Sequence, residues 1–376
     1  MTRRPYQICT RCVMDTSAPD ISFDRDGVCN YCTDFLARSG HILHEDSMTR
    51  QARLDSCVAR IRKAGQGRPY DCVVGVSGGV DSSWVLVTAM KWGLRPLAVH
   101  MDNGWNSELA QNNIANLIRG LGVDLYTHVI DWQEYRALMQ AFFDADVIDI
   151  ELLYDNAMLA VNFQQAAKFG VGYILSGSNT SSEGMAMPRN WAWHKYDKKN
   201  IQSIARRFGN VRISSFPAIG TFGRLWHEVV RSRRWVNFLD YLDYNKFEAM
   251  SALTERYGYK PYPYKHYESI FTRFYQGYIL PTKFGVDKRR LHLGTLIAAG
   301  QLDRGKAIED LEGIPFPSQQ ALDHDRQYFL KKMNWSSGQL TAYLQRPRVE
   351  HDRYDSERVM YEALGRVYQK LFSSRQ

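Results

Sequence analysis

Cysteine is scarce in this chain and stops early: there are six in 376 residues, and none follows Cys72. That argues against a disulfide framework and leaves no later thiol for nucleophilic or redox chemistry. Long apolar runs are missing as well. No stretch approaches the roughly 18 consecutive apolar residues of a membrane span, and the opening MTRRPYQICTRC has no apolar signal core, so a cytoplasmic location is expected. Internal repeats and low-complexity tracts are absent. The main glycine-rich turn lacks both the Gly-Lys-Ser/Thr ending of a Walker loop and the GxGxxG spacing of a dinucleotide turn.

Acidic residues are in deficit, 40 against 48 basic ones, which gives a formal charge of +8 and points to anionic partners. The excess is local. Between Lys195 and Trp235 ten basic residues (Lys195, Lys198, Lys199, Arg206, Arg207, Arg212, Arg224, Arg231, Arg233, Arg234) face only Asp197 and Glu228. Such a stretch is a solvated helical surface, a docking face or an anion-binding wall.

What is present is apolar content sufficient for a sizeable core, arranged in changing periods. A charged helical pattern from about Asp46 to Ala64 ends at GQGRP. VVGV, PLAVHM, LYTHVI and GYILSGSN then alternate with helical patterns between Tyr70 and Ser178, which predicts βαβ units and a doubly wound parallel α/β sheet of four strands. Beyond Ser182 the pattern turns aromatic, basic and helical. Three parts are expected: 1–40 as a cysteine-rich segment, 41–185 as the α/β core, and 186–376 as a helical region for substrate and partner.

Cys9-Thr-Arg-Cys12 and Cys29-Asn-Tyr-Cys32 stand sixteen residues apart, a four-cysteine zinc spacing. Four thiolates at about 2.3 Å close the coordination sphere, so the zinc would be structural; disulfides or redox chemistry are the competing readings. Cys72 opens an apolar strand and is expected to pack as a small hydrophobe.

The turn Ser77-Gly78-Gly79-Val80-Asp81-Ser82-Ser83 lies between a strand and a helix, where backbone amides and the helix dipole favour anions. A simple capping turn by Asp81 or Ser82 is the alternative. Two other strand ends, VHMDNGW and LSGSNTSSEG, fall on the same carboxyl edge, making His100, Met101, Asp102, Ser176, Gly177, Ser178, Asn179 and Glu183 candidates for ATP or substrate.

SGGVDSS resembles the SGGxDS signature of the PP-loop, or N-type, ATP pyrophosphatases over roughly residues 68 to 184. The resemblance implies that Ser77, Gly78, Gly79, Asp81, Ser82 and Ser83 cradle the β,γ-pyrophosphate of ATP, with Mg2+ accompanying it and Asp81 within its reach. Over almost the whole chain, CTRCVMDTSAPDISFDRDGVCNYC, SGGVDSS, MDNGWNSELA, SGSNTSSEGM and KHYESIFTRFYQGYILPTKFGVDKRRLHLGTLIAAGQ resemble the WbpG-like N-acetyl sugar amidotransferases of bacterial surface-polysaccharide pathways. Their implied activity is adenylylation of a sugar N-acetyl oxygen, followed by displacement of AMP by ammonia to give an acetamidino sugar. A UDP-linked diacetamido sugar of O-antigen or lipopolysaccharide synthesis would be the substrate.

The chain shows no glutaminase signature, so the resemblance implies ammonia from a partner glutaminase of the imidazole glycerol phosphate synthase kind. Its barrel-shaped cyclase companion would be a possible conduit, and the basic stretch a first candidate for the contact. No nucleic acid is expected, since no RNA-binding module is recognisable. A tRNA-modifying PP-loop enzyme is the alternative, of lysidine-synthase type more than thiolase type given the missing cysteines. In the 265–301 block, Lys265, His266 and Glu268 are candidates for acid–base work alongside Asp81 and Glu183, Lys283, Lys288 and Arg289 for substrate phosphate, and Tyr275 and Tyr278 for stacking.

Overall fold

The computed structural model describes residues 5–209, 213–262 and 267–364. Its centre is a sheet of β1 (Cys72–Gly75), β2 (Pro96–Asp102), β3 (Leu125–Val129), β4 (Tyr173–Ser176) and β5 (Arg234–Asn237), all parallel, in the order β3-β2-β1-β4-β5. Direction reverses at β1, which neighbours both β2 and β4, and this switch point opens a crevice at the carboxyl edge.

The strands are buried on both faces because their alternate residues feed two cores. Cys72, Val74 and Ala98 pack with α2 (Ser47–Ala64), α3 (Val80–Lys91), α4 (Glu108–Leu121) and α10 (Lys246–Tyr257). Val73, Leu97 and Val99 face the opposite core with α5 (Trp132–Asp144) and α6 (Leu152–Lys168). Cys72 is fully buried in this setting, the packing role expected of it.

The fifth strand corrects two expectations, the count of four and the core boundary at residue 185. β5 comes from the basic stretch, yet it pairs with β4 from Tyr173↔Arg234 to Ser176↔Asn237. Four residues, two of them strongly polar, carry too little alternation to read as a strand. The edge of β4 recruits them.

The amino-terminal segment folds as knuckles around the four cysteines and runs into α1 (Asn30–Leu43). The carboxyl-terminal region is helical: α11 (Ile270–Phe274) continues as a π-helical turn Tyr275–Phe284, followed by α12 (Arg289–Ala298), α13 (Arg304–Leu311), α14 (Gln319–Met333) and α15 (Ser337–Gln345). Among the described residues no helix is long and apolar enough to cross a membrane.

Candidate active site

The turn after β1 keeps an open helix end. The N-cap of α3 is Gly79, which supplies no side-chain cap, and the first helical amide to find an acceptor is Ser83 N, bonded to Gly79 O at 3.2 Å. The amides of Val80, Asp81 and Ser82 therefore lie outside the ladder, as an anion site at a helix N-terminus requires. Neither Asp81 nor Ser82 caps the helix. Ser82 Oγ instead pins the turn, 3.2 Å from both Ser77 N and Ser77 Oγ and 3.3 Å from Gly79 O.

Two glycines are required by the backbone. Gly78 has φ of 85°, and a Cβ there would stand 2.9 Å from Ala110 O on α4. At Gly177 a Cβ would stand 2.8 Å from Ser82 N and 3.0 Å from the Asp81 carbonyl carbon, so the loop after β4 rests directly on the turn after β1.

These two loops form one end of a cavity of about 530 Å3, in the size range of small-molecule sites. Ser77, Gly79, Asp81, Ser82, Ser176, Gly177, Ser178 and Glu183 line it, whereas Gly78, Ser83 and Asn179 support it from behind. Asn179 caps the short α7 (Thr180–Glu183), accepting from Ser182 N at 2.8 Å. Two buried polar atoms in the cavity wall, Asn162 Oδ1 and the Tyr259 hydroxyl, have no hydrogen-bond partner among the described residues. Orphaned atoms of this kind call for a polar ligand. With the open amides they fit a nucleotide triphosphate.

Strand alternation divides the second candidate group. Met101 reaches the cavity, but His100 and Asp102 do not. His100 donates from Nδ1 to Val76 O at 2.9 Å and accepts on Nε2 from Asn106 Nδ2 at 3.0 Å, and burial pushes the imidazole below its ordinary value. Asp102 accepts from Gly104 N at 2.8 Å and from Asn106 Nδ2 at 3.2 Å. Both hold the loop that leads to α4.

The opposite wall comes from beyond residue 267. Glu268 approaches the turn after β1: its Oε1 lies 3.5 Å from where a Gly79 Cβ would be. Lys288 lines the cavity but is buried against Glu151, Nζ to Oε2 at 2.8 Å, and Gln276 also donates to that carboxylate. Arg289 is paired with Asp287 at 2.8 Å and donates to Asp310 O. Lys283 corrects the reading from sequence: it lies outside the cavity, paired with Asp146 at 2.9 Å and donating to Tyr343 O and Arg346 O. Tyr275 is likewise a core residue, fully buried with its hydroxyl on Ile148 O, and Tyr278 stacks on Phe274. Lys265 and His266 lie outside the described residues.

Sequence reasoning missed Tyr244, which leaves the segment after β5 to donate a hydrogen bond to Asp81 Oδ1. It also missed Arg273, a cavity residue forked onto the buried Asp325 carboxylate, and Asn162 on α6. Tyr244 and Asn162 sit in no local motif, and Arg273 lies within the 265–301 block without any feature that singles it out. An acidic residue 52 positions downstream offers no sequence signal for Arg273.

The four cysteines stand beside the site. Their Sγ atoms all lie within 4.8 Å of one another, with Cys9–Cys32 at 3.9 Å and Cys12–Cys29 at 3.7 Å. A tetrahedron of thiolates about 2.3 Å from zinc has edges of about 3.8 Å, so the cluster fits the ion, and all six cysteines of the chain are free thiols. Backbone amides of Cys12, Met14 and Cys29 point at Sγ atoms from 3.2 to 3.4 Å, as stabilised thiolates need. Arg304 donates to Cys9 O and Cys12 O, and Arg290 to Val13 O while pairing with Asp15. The knuckles are thereby tied to α12 and α13, which wall the cavity.

Residues 268–368 match the family model described as LPS biosynthesis protein WbpG-like, C-terminal domain. No curated protein matches the chain. Among solved structures, NMN synthetase from Francisella tularensis is similar at 13% identity, covering 58% of this chain and 99% of that one with a TM-score of 0.29. NH3-dependent NAD synthetase from Campylobacter jejuni subsp. jejuni follows at 15% identity, 57% and 99% coverage and 0.28. A "predicted subunit of tRNA methyltransferase" from Methanocaldococcus jannaschii has 13% identity, 44% and 67% coverage and 0.26. The fold assignment rests on the observed strand order. The cavity-lining residues from Glu268 to Pro315 thus fall within the segment that matches the WbpG-like C-terminal domain model.

Proposed function

We propose that the protein is an ATP-dependent N-acetyl sugar amidotransferase. The observation that carries the reading is the uncapped N-terminus of α3, open to a cavity whose far wall is the WbpG-like domain. The amides of Val80, Asp81 and Ser82 and the hydroxyls of Ser77 and Ser82 hold the β,γ-phosphates as the leaving pyrophosphate. The α-phosphate then projects toward the middle of the cavity, where an acetamido oxygen attacks it and pyrophosphate departs. Ammonia adds to the activated carbon, AMP leaves, and one proton is lost to yield the acetamidino sugar.

An amide oxygen is a poor leaving group, which is why ATP is required. Asp81, Glu183 and Glu268 surround the phosphate turn and would repel a polyphosphate, so Mg2+ belongs with ATP here, with Asp81 its candidate ligand. Glu268 and Glu183 are positioned to accept the proton of the ammonium adduct. Lys288 and Arg289, both already paired with carboxylates, bring near-neutral pairs to the cavity wall and orient sugar hydroxyls or diphosphate. A UDP-linked diacetamido sugar of lipopolysaccharide synthesis is the proposed substrate, and a separate glutaminase, with or without a barrel-shaped companion, the proposed ammonia source.

The test is AMP and pyrophosphate release with ATP, Mg2+, ammonium salt and a UDP-diacetamido sugar. Formation of AMP together with an acetamidino product is expected. AMP formation stimulated by tRNA and indifferent to sugars would replace this reading with tRNA modification.

A further inference from the structure

Before β5, α9 (Thr221–Leu225) runs into a π-helical turn Trp226–Val230, and this short helix carries its apolar residues on the outside. Phe222, Trp226, Val229 and Val230 are 69%, 53%, 67% and 59% exposed. Their spacing of four, three and one places them on one helical face. A buried face would be ordinary; four large apolar side chains more than half in water within nine residues are not.

Positive charge adjoins the ridge without a counterion. Arg231, Arg233 and Arg234 follow at once, and none has a carboxylate partner among the described residues. The ridge's own acid, Glu228, is already paired with Arg224 at 2.9 Å. Burial and the neighbouring guanidiniums of Arg231 and Arg68 push Arg233 below its ordinary value, as in a field of one sign. Arg231 lies over the Trp226 ring at 5.7 Å, charge beside aromatic. Elsewhere in the basic stretch Lys195 is consumed by Asp149 and Asp155 at 2.7 and 2.8 Å, and Arg206 stands 3.6 Å from Asp355.

We propose that this ridge docks the protein on an anionic phospholipid surface, with Phe222, Trp226, Val229 and Val230 entering the headgroup layer and Arg231 and Arg234 meeting lipid phosphates. Charge complementarity selects an acidic surface, and the shape selects a soft one. The four side chains expose on the order of 400 Å2, about half of one side of a standard protein interface. Trp and Phe flanked by arginines suit the interface of a bilayer. The ridge adjoins the free sheet edge at β5, whose Trp235 lines the cavity, so docking sets the cavity beside the membrane.

The experiment is co-sedimentation of the full chain with vesicles of phosphatidylcholine alone and of phosphatidylcholine mixed with phosphatidylglycerol. Binding to the mixed vesicles alone, weakened by salt, is expected. Arg231→Ala/Arg234→Ala should lower the affinity by about 25-fold, near fivefold per arginine at an acidic surface. Phe222→Ala/Trp226→Ala should lower it at least tenfold, while Trp226→Phe retains most of it. All four sites are exposed, and unchanged melting temperatures would show that folding is intact. No binding to acidic vesicles, or binding indifferent to these substitutions, overturns the proposal. Ridge-dependent self-association or capture of a glutaminase, without vesicle binding, would assign the ridge to a protein instead.

Discussion

Replacing Gly177 by alanine tests whether the phosphate turn and the loop after β4 act as one unit. The added Cβ would meet Ser82 N at 2.8 Å, the Asp81 carbonyl carbon at 3.0 Å and Ser82 Cα at 3.1 Å, against ordinary contacts that begin at 3.4 Å. All three obstacles are backbone, so no side chain can swing away. The loops must part by about 0.6 Å, the difference between 3.4 and 2.8 Å. Overpacking of this kind costs about 1–3 kcal/mol. Because roughly 1 Å of misplacement can cost about 100-fold in rate, tenfold or more should be lost here in AMP formation, with weaker ATP binding.

The assay is titration calorimetry with ATP and Mg2+, paired with urea unfolding. Gly40→Ala is the control: it lies within α1 and a Cβ there meets nothing within 4 Å, so stability should rise by up to about 1 kcal/mol with ATP binding unchanged. Wild-type ATP affinity and stability in the Gly177 variant would refute the account of the paired loops.

Three further outcomes are expected. Metal analysis should find one zinc per chain, and Cys12→Ser or a strong chelator should lower the melting temperature and weaken ATP binding, because the knuckles brace α12 through Arg290. Tyr244→Phe removes the donor to Asp81 and should raise the Mg2+ concentration needed for half-maximal ATP binding several-fold with little loss of stability; an unchanged Mg2+ dependence would remove Tyr244 from the site. His351 is fully buried, accepts from Asp149 N at 3.1 Å and donates to Asn200 Oδ1 at 2.8 Å, and burial lowers its pKa to about 4. The unfolded chain, at about 6.5, takes up the proton first, so stability is full above that value and falls as pH drops toward 4, by at most about 1.4 kcal/mol per unit. Urea unfolding of His351→Gln between pH 7 and 4 should show a pH slope smaller by about one proton.

The amino-acid order by itself determined what depends on neighbours in the chain. Each CxxC knuckle is local to the chain, and the two knuckles bring their sulfurs to separations of 3.7 and 3.9 Å that fit a zinc ion. VVGV, PLAVHM, LYTHVI and YILS declare strands through apolar content, and SGGVDSS declares a tight strand-to-helix turn through its two glycines. Tertiary structure decided what depends on partners far away. Arg234–Asn237 became a strand because β4 offered an unpaired edge. Lys283 and Lys288 look alike in sequence, yet Asp146 draws one away from the cavity and Glu151 holds the other in its wall, each partner 137 positions distant. Asp81 gained Tyr244 from 163 positions on. Hydrogen bonds and ion pairs between distant residues depend on the closing of long loops, and no local periodicity records which loops will close.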